Sequence, residues 1–284
     1  MRILRHNALM SNSINADLPI GIFDSGVGGL TVLKAIRDEL PCENLVYLGD
    51  TARLPYGTKS PLSIARYATQ AAKSLEEQGI KLLVVACNTA SAVALDALRA
   101  QLSPLQVIGV VEPGAAAAVA ARPGGTHLVL ATEATVRLGA YRNAIEARDP
   151  AATVRESACE LLVALAEEGW TDGNIANRII ERYLDEATDS EFQADTIILG
   201  CTHFPILKDA IAAVASSDVL LVDSASTTAG VVAQTLDSSG SRRRRNDAGS
   251  LRFLATDGAT RCARVGGQFL GQPLSPDDVE IVDL

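Results

Sequence analysis

Two cysteines close two closely similar segments that lie far apart in the chain. Leu82-Leu83-Val84-Val85-Ala86-Cys87-Asn88-Thr89 and Thr196-Ile197-Ile198-Leu199-Gly200-Cys201-Thr202-His203 both pass from an apolar, β-branched run through a small residue into cysteine and then hydrogen-bonding side chains. Open α/β sheets place ligand chemistry just past the carboxyl ends of their strands. Two thiols delivered there predict a site with a sulfur on each side of its substrate. A free thiol titrates near 8.5, so only a few per cent is thiolate at neutral pH. A nearby base and helix-terminal N–H groups raise that fraction, and His203 stands directly beside the strand-end Cys201. A single buried cysteine or histidine is more often structural. Cys42, Cys159 and Cys262 have no comparable setting and are read that way.

A second group of candidates ends the first apolar run, Phe23-Asp24-Ser25-Gly26-Val27-Gly28-Gly29-Leu30. Its glycines let backbone N–H groups approach an anion beside a helix N-terminus. Thr31 stands where a dinucleotide fingerprint has its third glycine, and no Gly-Lys-Ser/Thr follows, so neither nucleotide motif fits. Alone the glycines describe a tight turn. Asp24 adds an acid at the strand end that can orient a thiol or receive an ammonium group. Gly49 through Gly57, including Pro55-Tyr56-Gly57, reads by itself as an ordinary loop.

Positioning these groups requires a framework of repeated βα units. Strands are expected at Ile20–Phe23, Leu45–Leu48, Leu82–Ala86, Val107–Val110, His127–Ala131, Thr153–Ser157, Thr196–Leu199, Val219–Val222 and Arg252–Ala255. Helices such as Leu30–Leu40, Pro61–Gln78, Ala90–Gln101, Ile175–Glu186 and Thr260–Leu270 fall between or after them. That alternation predicts an α/β fold with mainly parallel sheets. A length of 284 residues allows one large or two medium domains, and the cysteine segments suggest two related halves. Their likeness is short enough to come from duplication or from convergence on strand-then-turn composition. In the first half a strand, a loop and a helix follow Cys87; in the second, Pro205 starts a helix soon after Cys201. Glu112-Pro113-Gly114 and Asp223-Ser224-Ala225 read as turn-like breaks where the chain crosses between domains. The expected organisation is an N-terminal extension (1–17), a first domain (18–111 with 225–284) carrying Cys87, and a second (112–224) carrying Cys201.

Composition narrows the classes further. The chain is 48% hydrophobic with a formal charge of −9, which argues against a general nucleic-acid-binding surface. Arg242 to Arg245, flanked by Ser, Gly, Asn and Asp, is read as a solvated loop. No run is long and apolar enough for a membrane span. Met1–Asp17 lacks the apolar stretch and cleavage site of a signal peptide, and is expected to be a frayed extension. Five scattered cysteines without CxxC do not form a disulfide framework, so the cytoplasm is the expected compartment.

Taken in order, Phe-Asp-Ser-Gly-Val-Gly-Gly-Leu, Leu-Pro-Tyr-Gly, Ala-Cys-Asn-Thr-Ala, Glu-Pro-Gly and Gly-Cys-Thr-His-Phe-Pro resemble the glutamate racemases, from about Pro19 through Phe269-Leu270-Gly271. The resemblance implies cofactor-independent interconversion of L- and D-glutamate, supplying D-glutamate for bacterial peptidoglycan. It also implies two pseudo-symmetric α/β domains with the substrate in the cleft between them, and a homodimer. One catalytic cysteine comes from each domain: Cys87 is assigned to D-glutamate and Cys201 to L-glutamate deprotonation, assisted by Asp24 and His203 respectively. Glu167 is the counterpart of an auxiliary acid, although Glu160 and Ala164 replace the usual prolines of its segment. Substrate binding carries over to Asp24, Ser25, Tyr56, Gly57, Asn88, Thr89, Thr202 and His203, with Thr132 and Thr135 as weaker candidates. These motifs contain no Lys or Arg, so substrate carboxylates would be held by backbone N–H groups, hydroxyls and Asn88. Some relatives pair an N-terminal extension with activation by a peptidoglycan precursor; nothing in Met1–Asp17 extends this to the present chain. Competing readings are an aspartate racemase using the same thiols, a metal-binding protein using Cys87, Cys201 and His203, and a noncatalytic amino-acid-binding module.

Overall fold

Short β-branched runs alternate with helical patterns in the computed structural model, which describes residues 15–284. The first half runs β1 (Ile20–Asp24), α1 (Leu30–Glu39), β2 (Leu45–Gly49), α2 (Pro61–Glu77), β3 (Leu82–Val85), α3 (Asn88–Gln101) and β4 (Gln106–Gly109). Next come α4 (Val111–Ala121), β5 (Thr126–Ala131), α5 (Glu133–Arg137), α6 (Ala140–Glu146), β6 (Thr153–Ala158) and α7 (Glu160–Glu168). They are followed by α8 (Gly173–Ala187), β7 (Thr196–Gly200), α9 (Lys208–Val214) and β8 (Leu220–Asp223). The chain ends with α10 (Ser224–Ser239), β9 (Leu251–Ala255), α11 (Ala259–Leu270) and β10 (Val279–Ile281).

Two sheets result, ordered β10-β9-β2-β1-β3-β4 and β6-β5-β7-β8, and every strand pairing in them is parallel. The segment β2-β1-β3-β4 has the same order as β6-β5-β7-β8: first strand inside, second to one side, third and fourth to the other. Cys87 therefore follows the third strand of one unit and Cys201 the third strand of its counterpart. The inner strands β1, β2, β3, β5 and β7 are buried on both faces, as parallel sheets require, while the edge strands β6, β8 and β10 are partly polar and exposed. One core cluster joins the sheets through α1, α10 and α11, and two more cover the remaining face of each sheet.

Several sequence expectations change. The chain passes between sheets after β4 and after β8, but through helices rather than turns: Glu112-Pro113-Gly114 lies in the first turn of α4, and Ser224-Ala225 opens α10. Proline is tolerated there because first-turn N–H groups have no intrahelical partner. No loop separates β3 from α3, since Cys87 itself is the N-cap. Pro205 sits in a 3-10 turn, Phe204–Leu207, that leads into α9. Of the predicted frayed extension, residues 1–14 lie outside the described part, whereas Ala16 and Asp17 are anchored. Lys81 Nζ donates to Ala16 O at 2.6 Å, and Asp17 pairs with Arg243 and Arg245. The arginine run is thus only partly solvated: Arg243 is buried, bonded to Asp17, Cys42 O and Asp247.

Candidate active site

In doubly wound sheets the ligand crevice opens where connections leave to opposite sides, between the first and third strands. Each unit presents such a crevice. In the first sheet its edges are Asp24, ending β1, and Cys87, following β3; in the second they are Thr132, following β5, and Cys201, following β7. Both cysteines wall one cavity of about 280 Å³, shared with Ser25, Tyr56, Gly57, Asn88, Thr89, Thr132, Glu167, Thr202 and His203. That volume lies just under the roughly 300 Å³ at which pockets for drug-sized ligands begin, and suits a small metabolite. A larger, more open cleft of about 550 Å³ between α1, α10 and α11 contains neither cysteine; chemistry, not size, marks the site.

The two thiols stand in different surroundings. Cys87 is 5% exposed, and its Sγ accepts a hydrogen bond from Ala90 N at 3.4 Å at the start of α3. Burial, with Asp24's charge adding, pushes this thiol up to about 12 against the hydrogen bonds from Ser25 and Ala90. On the opposite wall, Cys201 Sγ lies 3.7 Å from His203 Nδ1, and His203 Nε2 lies 3.2 Å from Glu167 Oε1. Burial disfavours charge on His203, but its bonds to Cys201 and Glu167 outweigh that and push its pKa up to about 10. The His203 hydrogen bond, working against burial and aided by His203 and Arg261 charge, holds Glu167 below the usual carboxylate range. His203 is thus an imidazolium at neutral pH, a cation against one sulfur, while the other thiol keeps its proton.

Polar groups around the thiols divide by role. Asp24 is fully buried and forms no part of the cavity wall; Gly26 N donates to its Oδ2 at 2.9 Å. Burial raises its pKa, opposed by His203 and by backbone N–H groups. Tyr141 Oη donates to Asn88 Oδ1 at 2.7 Å, which turns the Asn88 amide nitrogen away as a free donor. Among the described residues Asp24 Oδ1 and Asn88 Nδ2 have no partner. Asn88 lines the cavity, so its free donor can meet a substrate carboxylate, whereas Asp24 lies behind the wall and its expected contact with substrate is not made. The Tyr56 hydroxyl is committed to Asp50, so residues 56–57 offer the cavity ring and backbone only. Thr89, Thr132 and Thr135 hydroxyls form a triangle of 3.0, 3.1 and 3.1 Å joining α3 to α5. Thr135 is buried behind that triangle and does not reach the cavity, so its expected contact with substrate becomes support for Thr89 and Thr132.

Of one wall, sequence reasoning found Glu167 alone. Glu160, Val163, Ala164 and Glu167 line the cavity together, and their spacing of i, i+3, i+4, i+7 is a single face of α7. That periodicity was the available signal. Glu160 and Ala164, noted only as departures from a proline pattern, sit on this face. The metal reading finds no support: among the described residues no group of three or more His, Cys, Asp or Glu side chains could hold an ion. Nor is any described helix long and apolar enough to cross a membrane.

Comparison with known proteins agrees with this geometry. A family model described as Asp/Glu/hydantoin racemase matches residues 30–232. The chain belongs to that family. This racemase is 48% identical over 255 residues to the glutamate racemase of Geobacter metallireducens, covering 90% of this chain and 93% of the relative. It resembles the Francisella tularensis glutamate racemase solved with D-glutamate at a TM-score of 0.86 and 36% identity, covering 94% and 98% of the two chains. The Escherichia coli enzyme, solved with L-glutamate and the activator UDP-MurNAc-ala, matches at a TM-score of 0.72 and 30% identity over 89% and 95%. The two-domain α/β architecture of this racemase is therefore that of the solved glutamate racemases.

Proposed function

We propose that this racemase interconverts L- and D-glutamate without a cofactor, using Cys87 and Cys201 as opposed proton carriers. The observation that carries the reading is that both thiols wall one small cavity, from equivalent strand ends of two sheets. Racemisation needs an acid and a base on opposite faces of a planar carbanion, held in close register. With His203 protonated beside it, Cys201 takes the α-proton of L-glutamate, and Cys87 delivers its proton to the other face. D-Glutamate leaves, with the proton now on Cys201 and the negative charge on Cys87. The reverse reaction starts from that state.

The free Asn88 amide nitrogen matches a substrate carboxylate, with Thr89, Thr132 and Thr202 hydroxyls and Ser25 completing the cradle. Among the described residues no Lys or Arg lines the cavity, so hydroxyls and helix-terminal N–H groups hold the carboxylates. Residues 18–111 with 225–284 and residues 112–224 form the two domains that close on glutamate. The role that follows from the motif resemblance is supply of D-glutamate for peptidoglycan and cell shape, in the cytoplasm and by a homodimer. Direct comparison of L-glutamate and L-aspartate turnover by the purified protein, with no cofactor added, tests the substrate. Glutamate should be strongly preferred; preference for aspartate overturns the choice.

A further inference from the structure

The Cys201 wall has a contributor that lies outside the cavity and outside every motif. Arg261 Nη2 lies 2.6 Å from Glu167 Oε2, while the other oxygen of the same carboxylate lies 3.2 Å from His203 Nε2. The two Glu167 oxygens are thus divided between an arginine of α11 and a histidine that follows β7. Four groups stand in line: Arg261, Glu167, His203 and Cys201. Elements of the two sheets meet in this line, because α11 follows β9 of the first sheet whereas α7 and His203 belong with the second. A second contact from α11 reaches the same ring: Phe269 meets His203 edge-on, with centroids 5.2 Å apart. A helix that supplies no cavity-lining side chain therefore restrains His203 twice, by an apolar edge and through Glu167.

We propose that Arg261 is a positioning residue for the reaction, holding Glu167 against His203 so that the imidazolium stays paired with Cys201. The inference rests on the two-thiol reading of the site. Its physical basis is rotational: the Glu167 side chain is 19% exposed and that of Arg261 54%. Without the arginine, the carboxylate can turn one oxygen to water and leave Nε2. Other ionisable groups near His203 are Cys201 on its own turn and Asp24 at the end of β1; Cys87 and Glu160 line the same cavity. None of them bonds Nε2.

Two effects of removing Arg261 have opposite signs. Loss of a repelling cation would make His203 easier to protonate, whereas loss of Glu167's hold would make it harder. The second acts through a direct contact and the first from beyond it through partly solvated space, so the positioning effect dominates. Titration of His203 by NMR decides the matter. The chain has three histidines, and the His203 signal is assigned by its loss in His203→Gln. In Arg261→Met the His203 pKa should fall by roughly one unit, and kcat/KM for glutamate should fall severalfold; Arg261→Lys should restore most of both. A His203 pKa that is unchanged or higher in Arg261→Met overturns the proposal. A wild-type protein that does not racemise glutamate, yet shows the His203 shift, defeats the functional reading and leaves the positioning role standing.

Discussion

His203 carries a proton at neutral pH because its bonds to Cys201 and Glu167 outweigh its burial. Its pKa rises from 6.5 to about 10 on folding, so the stabilisation it provides is fully present below pH 6.5 and is lost as pH climbs through about 10. Wild-type protein should therefore exceed His203→Gln in stability by a margin that is largest below pH 6.5 and shrinks towards pH 10, as urea titrations at stepped pH will show. The same variant should lose about 10²- to 10⁴-fold in kcat/KM. That loss must be identical from either enantiomer, since the two have equal free energy and the equilibrium constant is one. A margin that grows with pH would contradict the assigned ion pair. At this scale the chemistry was legible where it was contiguous: Cys201 and His203 announce themselves within one motif. Tyr141 and Arg261 did not, because packing of distant helices brings them to Asn88 and Glu167.

Elements deliver these residues through close approach of backbone. A Cβ on Gly28 would lie 2.5 Å from both His203 Nδ1 and Thr202 Oγ1, so the loop after β1 touches the turn after β7 directly. Thr31 of α1 reinforces that contact, donating from Oγ1 to Thr202 O at 2.8 Å. Gly28→Ala should push the Cys201–His203 turn aside and lower kcat about 10²-fold, with the melting temperature changed far less than by a core truncation. Near-normal kcat in this variant would show that the approach is not needed. Strand and helix periodicity placed nine strands and the helices α1, α2, α3, α8 and α11, and missed β10, whose three residues are too few to show a pattern. The helical starts at α4 and α10 were hidden because Pro, Gly and Ser serve both turns and first helical turns.

At the scale of the molecule, equal strand order in the two sheets turns a likeness between two short segments into an architectural equivalence. The sequence could suggest paired halves but not their facing crevices, which depend on how α10 and α11 pack the sheets together. Away from the site, Lys81 and Glu43 form a buried ion pair, with Lys81 also bonded to Ala16 O and Ser241 O and Glu43 to Arg243 N. This knot fastens the described N-terminal residues and the arginine loop to the first sheet. Lys81→Met leaves Glu43 without its cation and should cost about 3–5 kcal/mol by chemical denaturation, while the KM for glutamate stays at the wild-type value. An unchanged stability would deny the knot its structural role. The central claim is that two thiols on facing sheets each carry one proton step, and it is tested most directly by assaying folded Cys87→Ala and Cys201→Ala in deuterated water. Neither variant should racemise glutamate, and any α-hydrogen exchange that survives should be confined to L-glutamate with Cys87→Ala and to D-glutamate with Cys201→Ala. Near-normal racemisation by either variant would contradict the account.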